Sequence, residues 1–340
     1  MRIPTWALVG GLLLSGCAAS ERITDDSGCA SCHGTIAARH AQSGHAKATG
    51  SPVFQALEAR ATPSTRAFCN RCHAPAGGTG IGCLTCHRAV GNQGTVNARF
   101  IEGDPDEMLG PYAVSSAAHG ARKHSFITSA ELCGTCHQVD GGGAFHETPY
   151  DEWKASPAHA RGTTCAQCHM AKKPGDAASG FDTQTLAPGG AVRDVGDHAF
   201  VGPGPELLED AASLDLAVDG AHLRVTVGNR KAGHSLPSGA RFLRRLTIEV
   251  DVDGAPAERF ELGDRMLLAG QETFDPLAAT SVEVRAIDAG ATRAFDVETV
   301  GKHVEVRLVY RKYDPRILTY LGLDPALAEP FTMASRVVDL

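Results

Sequence analysis

Large apolar side chains are scarce: 12 Phe, 5 Tyr and 2 Trp make aromatics only 6% of the 340 residues. The chain is long enough for two domains on ordinary size priors, yet has little with which to fill two cores. Cysteine is missing altogether after Cys168, although 11 occur up to that point, so the chain changes character near its middle. There is no block of basic residues. With 32 Lys+Arg against 39 Asp+Glu the formal charge is -7, which disfavours nucleic acid as a partner. No apolar run is long enough to span a bilayer. Trp6 to Leu14 is the nearest, and behind Arg2 it reads as a signal peptide covering residues 1–16. Phosphate-loop and nucleophile patterns are also absent, and Gly78-Thr79-Gly80-Ile81-Gly82 reads as a loop.

What is present is a single motif five times over. C-x-x-C-H occurs at Cys29-Cys32-His33, Cys69-Cys72-His73, Cys83-Cys86-His87, Cys133-Cys136-His137 and Cys165-Cys168-His169. This spacing is the attachment signal of haem c. Two thiols add across the porphyrin vinyl groups, and the next residue offers its imidazole to the iron. A zinc site or a redox dithiol also uses C-x-x-C, but neither requires histidine directly after the second cysteine. A disulfide framework would suit an exported chain without explaining five identical spacings. Five covalent haem c groups are therefore expected. They consume ten cysteines and leave only Cys17.

Cys17 ends the stretch Leu14-Ser15-Gly16-Cys17, which resembles the lipobox of bacterial lipoproteins. The resemblance implies lipidation at Cys17, a tether over 17–24 and membrane attachment through several acyl chains. Ala18 follows rather than Asp, which favours the outer membrane, with the haem domain facing the periplasm or the cell surface.

Residues 25–175 are rich in Cys, His, Ala and Gly and predict short helices and loops packed around the haems. Residues 176–205, with Pro188-Gly189-Gly190 and Gly202-Pro203-Gly204-Pro205, predict a linker or wrapping segment. Within 206–340, alternation over 214–218, 223–227, 243–252, 281–287, 294–300 and 304–310 predicts a β-sandwich-like domain. A last short helix is expected near Ile317–Leu323. The expected class is α+β.

Ten histidines remain once the five motif histidines are set aside. Trp153-Lys-Ala-Ser156-Pro-Ala-His159, followed by Cys165-Ala-Gln-Cys168-His169-Met170, resembles a W-x-x-S-x-H element of multihaem c-type cytochromes. These are related to the tetrahaem electron acceptor of hydroxylamine oxidation, and larger relatives carry a C-terminal β-domain. A similar beat occurs at His40-Ala-Gln-Ser43-Gly-His45. Ser115 to His119 resembles another family segment, and Asp197-His198-Ala-Phe200-Val-Gly202 and Gly233-His234-Ser-Leu-Pro237-Ser-Gly239 resemble segments of the β-domain-bearing relatives. The resemblance implies that His45, His119, His159, His198 and His234 are second axial ligands, with His119 favoured over His124. His40, His124, His146, His222 and His303 are expected at solvent or at propionates. Met108 and Met266 are weaker candidate ligands.

Iron held by two histidines has no position left for substrate, which predicts an electron carrier for the cell envelope. Redox proteins of that compartment are its expected partners. Two alternatives stand beside it. One is a multihaem reductase or oxidase of a small nitrogen or sulfur species, with one open haem. The other is a structural subunit of a membrane electron-transfer complex or cytochrome filament, assembled through strand edges of the β-domain.

Overall fold

The computed structural model describes residues 25–114, 116, 118–178, 192–220, 222–298 and 303–340. The signal peptide, Cys17, the tether and the centre of the 176–205 segment lie outside the described residues. The protein is α+β, as its sequence pattern predicts.

The N-terminal part is a run of short helices: α1 (Cys29–Cys32), α2 (Gly34–Gln42), α3 (Pro52–Arg60), α4 (Pro63–His73), α5 (Cys83–His87), α6 (Ala130–Gly134), α7 (Pro149–Lys154), α8 (Pro157–Ala160) and α9 (Cys165–His169). Each C-x-x-C-H motif begins within one of these helices. So short a helix gains little from propagation and depends on its cap. Thr62 accepts from Thr65 N ahead of α4, with Pro63 at the first helical position. Ser129 accepts from Leu132 N ahead of α6, and Thr164 with Gln167 forms a reciprocal capping box on α9. Asp26, distant in sequence, accepts from Leu84 N at 2.9 Å and caps α5.

Short strand pairs fill the intervals: β1 (Ala89–Asn92) with β2 (Phe100–Glu102), β3 (Glu107–Gly110) with β4 (Gly120–Lys123), and β5 (Val139–Asp140) with β6 (His146–Glu147). The antiparallel pair β7 (Lys172–Asp176) and β8 (Val192–Gly196) brings the chain back against the helical part. There Asp197 receives both Arg39 and, at 3.7 Å, Lys173. Helix α10 (Pro205–Ala211) follows, starting at the last residue of the segment where only irregular chain is expected.

The C-terminal part is two facing antiparallel sheets. One has the order β16 (Thr292–Glu298), β10 (His222–Asn229), β9 (Ala212–Asp219). The other has the order β12 (Ala255–Leu262), β11 (Arg245–Val252), β17 (His303–Arg311), β18 (Pro330–Asp339). Between them lie Leu214, Leu223, Val225, Val227, Leu246, Ile248, Val304, Val306 and Leu308, all fully buried. A small third sheet joins β13 (Arg265–Leu268), β14 (Gln271–Glu272) and β15 (Ser281–Glu283). The 281–287 strand is thus shorter than its alternation predicts. Ile287 instead makes an isolated bridge to Leu236. Helix α11 (Pro315–Leu321), N-capped by Asp314, packs Leu318 and Leu321 in one apolar cluster with Val53 of α3, joining the two parts of the chain.

The burial is lopsided. The twelve largest fully buried side chains all lie at or beyond Leu214, and the buried apolar residues before Leu208 are mostly alanines. Among the described residues the helical part therefore has no sizeable side-chain core of its own. Among the described residues no helix is long and apolar enough to cross a membrane.

Candidate multihaem site

The motif histidines can be followed outward one nitrogen at a time. His33 Nδ1 donates to Ala177 O at 2.5 Å, His73 Nδ1 to Ala48 O at 3.3 Å, His87 Nδ1 to Leu109 O at 2.6 Å and His169 Nδ1 to Val201 O at 2.8 Å. A proton fixed on Nδ1 leaves the Nε2 lone pair available to a metal. The same arrangement holds for three other histidines. His119, His198 and His234 donate from Nδ1 to Gly120 O, Gly196 O and Ser235 O at 2.8, 2.8 and 2.9 Å.

These rings meet in pairs. His33 faces His119 with ring centroids 6.3 Å apart, His87 faces His198 at 6.3 Å, His137 faces His45 at 6.0 Å, and His169 faces His234 at 6.4 Å. Two imidazoles on opposite sides of one metal, each with a bond of about 2 Å, have centroids about 6.3 Å apart. Ordinary ring stacking would be closer. The His87–His198 and His169–His234 planes are within 12° and 13° of parallel, whereas His33–His119 and His137–His45 are tilted by 34° and 50°. Burial holds His45 down at about 3, and also lowers His73, His87, His137, His198 and His234, keeping these rings neutral and able to ligate.

His124 differs from His119 in a decisive way. Its Nδ1 accepts from Phe126 N at 3.3 Å, so its proton sits on Nε2 and the ligating lone pair is already used. His40 and His146 spend Nε2 on Ile81 O and Gly143 O, each at 2.9 Å. His303 pairs with Asp339 at 2.8 Å. Met266 is buried in the cluster around α11.

The second motif stands apart. Among the described residues His73 faces no histidine; Phe54 stacks on its ring at 4.1 Å, 21° from parallel. His159 is not brought to a motif histidine either. It is exposed and rests edge-on against Trp153 at 4.5 Å, while Trp153 Nε1 donates to Thr163 O. The serine of this beat shapes the backbone locally. Ser156 caps the turn by accepting from His159 N, just as Ser43 accepts from Ala46 N beside His45.

The sulfurs also meet across motifs. Cys29 lies against Cys83, Cys72 against Cys136, and Cys133 against Cys165. This places the first motif beside the third, and the fourth beside both the second and the fifth. Burial pushes the Cys86 thiol up to about 11 and also raises Cys69 and Cys168, whereas the hydrogen bond to a second sulfur lowers Cys29, Cys72 and Cys165. Among the described residues the one set able to share a metal ion is Asp26, Cys29 and Cys83, one ligand short of a closed zinc site. Nine of the ten motif sulfurs, all but Cys32, are free thiols. Free thiols, Nδ1-anchored histidines and a helical part without a sizeable core fit covalent haem at these motifs.

A buried anchor that the sequence pattern does not announce holds the His234 loop. Glu152 accepts from Ser235 N at 3.1 Å, from Ser238 Oγ at 2.5 Å and from Arg241, and Arg241 reaches on to Asp264 at 2.9 Å. Glu152 directly precedes Trp153 in a stretch where only tryptophan, serine and histidine stand out. Its function shows only when residues more than eighty positions later are packed on it.

The fold is that of a solved multihaem cytochrome. The penta-heme cytochrome c552 of Thermochromatium tepidum overlays with a TM-score of 0.71 over 92% of this chain and 97% of that one, at 17% identity. Two superoxide reductase structures, one from Nanoarchaeum equitans, overlay at TM-scores of only 0.17 and 0.20, each at 9% identity, over 30% and 38% of this chain, and over 83% and 87% of the two reductase chains. No protein-family model matches the sequence, and no curated protein does.

Proposed function

We propose that this chain is a pentahaem c-type cytochrome lipoprotein of the bacterial cell envelope, tethered through Cys17, that relays electrons between redox proteins. The single observation that carries this reading is the set of four imidazole pairs at 6.0–6.4 Å, each joining a motif histidine to one from elsewhere in the chain. When bound, haem iron supplies one-electron chemistry by cycling between its ferric and ferrous states. His33 with His119, His87 with His198, His137 with His45 and His169 with His234 would hold four such irons on both faces, leaving no position for substrate. The ten motif cysteines would fix the porphyrins. The sulfur contacts Cys29–Cys83, Cys72–Cys136 and Cys133–Cys165 support close spacing of neighbouring centres. An acidic chain would steer basic partners, with docking weakened by salt. The outer edges β12 and β18 of one sheet, and β9 and β16 of the other, are available for assembly through the β-domain.

A second reading attaches to one position. His73 has no imidazole opposite it among the described residues, which favours an open coordination site at the second motif and, with it, reduction or oxidation of a small nitrogen or sulfur species there. Low-temperature electron paramagnetic resonance of the five-haem protein, before and after reduction under nitric oxide, separates the two. Four low-spin centres with one high-spin, nitric-oxide-binding centre would support a relay ending in an open site. Five low-spin, inert centres would leave the relay alone. More than one high-spin centre would overturn the proposed histidine pairs.

A further inference from the structure

Six arginines converge where the two sheets of the sandwich fall open. The outer strand of one sheet, β12, and the outer strand of the other, β16, meet through Phe260 and Phe295, whose ring centroids are 4.9 Å apart. Beside this phenyl pair is a cavity of about 460 Å³, lined by Arg245, Arg259, Arg265, Arg285, Arg293 and Arg316. Only two acidic residues, Glu261 and Glu272, share the lining. Counting also Asp314 and Glu283, which pair with these arginines from outside it, six guanidiniums face four carboxylates. Asp264, next in sequence to the lining Gly263, is turned to Arg241 and to the backbone of Arg285. Positive charge is therefore in excess in one concavity of a chain whose formal charge is -7.

The arrangement is built rather than incidental. Arg245 is almost wholly buried and is held by Asp314 at 2.6 Å. Burial pulls it below its ordinary value, and the nearby Arg316 adds to that. Gly263 makes room for it: a Cβ there would sit 2.5 Å from Arg245 Nη1 and 2.2 Å from Arg244 O, at a φ of +129°. Arg293 has no carboxylate partner among the described residues; its guanidinium lies over Phe295 at 5.5 Å. Guanidinium forks present paired N–H donors that match the planar oxygens of a carboxylate or the tetrahedral oxygens of a phosphate. A shared concavity takes a small ligand, not an extended polypeptide surface.

We infer that this cavity is a binding site for a small multivalent oxyanion, a polycarboxylate or a phosphate ester, separate from the cysteine and histidine motifs. Binding there would join strands β12, β13 and β16 with α11 and tighten the open edge of the sandwich. This inference stands whether or not the histidine pairs hold iron.

The test is calorimetric titration of the mature holoprotein with citrate and with pyrophosphate, each at constant ionic strength, beside an Arg259→Ala/Arg293→Ala double variant. Arg224→Ala, whose side chain pairs with Asp296 on the exposed face of the sheet, serves as the control. Saturable binding of either probe, weakened at least tenfold in the double variant and unchanged in the control, is expected. Preference between the two probes assigns carboxylate or phosphate chemistry. Absence of saturation, equal binding to the double variant, or binding seen only with polyglutamate would each overturn the inference. The thermal midpoint and Soret spectrum of each variant without ligand report that it has folded.

Discussion

A histidine is made a candidate metal ligand by the nitrogen it has left over. His119 and His124 are five residues apart, with nothing in the sequence to separate them beyond the resemblance. The structure separates them by one proton: His119 gives Nδ1–H to Gly120 O, whereas His124 takes Phe126 N–H on Nδ1. Replacing His198 with alanine is expected to convert one centre from low spin to high spin. His124→Ala is expected to leave the resonance spectrum unaltered, and a new high-spin signal there would reverse the assignment. The motif residues are legible in the sequence because their geometry is local. The pairing of distal histidines is not, because each partner is delivered by a different stretch of chain. His159 shows the cost of reading locally: its beat matches that of His45, yet Trp153 packs against its ring and no motif histidine meets it among the described residues.

Helices and strands are legible where they bury one face. Strands β9, β10, β11, β16 and β17 follow from apolar alternation, because each presents Leu, Val or Ile to the space between the sheets. Strands β12 and β18 are edges. The first of them buries only Leu262 fully, begins beside Pro256, and is aligned by its hydrogen bonds to β11. The Asp253-Gly254 turn between β11 and β12, with φ of 49° and 80°, is a hairpin signature that marks it. The loop between β10 and β11 depends instead on a carboxylate. Replacing Glu152 with alanine leaves Arg241 with Asp264 and Thr148 but frees Ser235 N and Ser238 Oγ, a loss of about 1–3 kcal/mol for buried donors left without a partner. Chemical denaturation should register that loss, together with high-spin character as His234 comes away from His169. A variant of wild-type stability would show that the loop is held by other contacts.

Taken as a whole, the chain divides its stability unequally. The β part has apolar side chains between its sheets, each worth about 1.5–3 kcal/mol when buried. The buried apolar residues of the helical part are mostly alanines. On the proposed function, haem held by its cysteines would complete this interior, in keeping with the low aromatic content of the chain. Expressed without haem attachment, the protein is expected to lose residues 25–175 rapidly to limited proteolysis while 206–340 persists as a resistant fragment. Mass spectrometry of the digest would check this, and equal resistance of both parts would show that the helical part carries a core after all.

The sulfur contacts between motifs bear on how such a molecule is made. Cys29 with Cys83, Cys72 with Cys136 and Cys133 with Cys165 stand together only after the chain has folded. In an oxidising compartment, a polypeptide that reached this shape with bare thiols would cross-link itself and lose its attachment sites. On the proposed function, each pair of thiols would have to be kept reduced and meet its porphyrin before these contacts close.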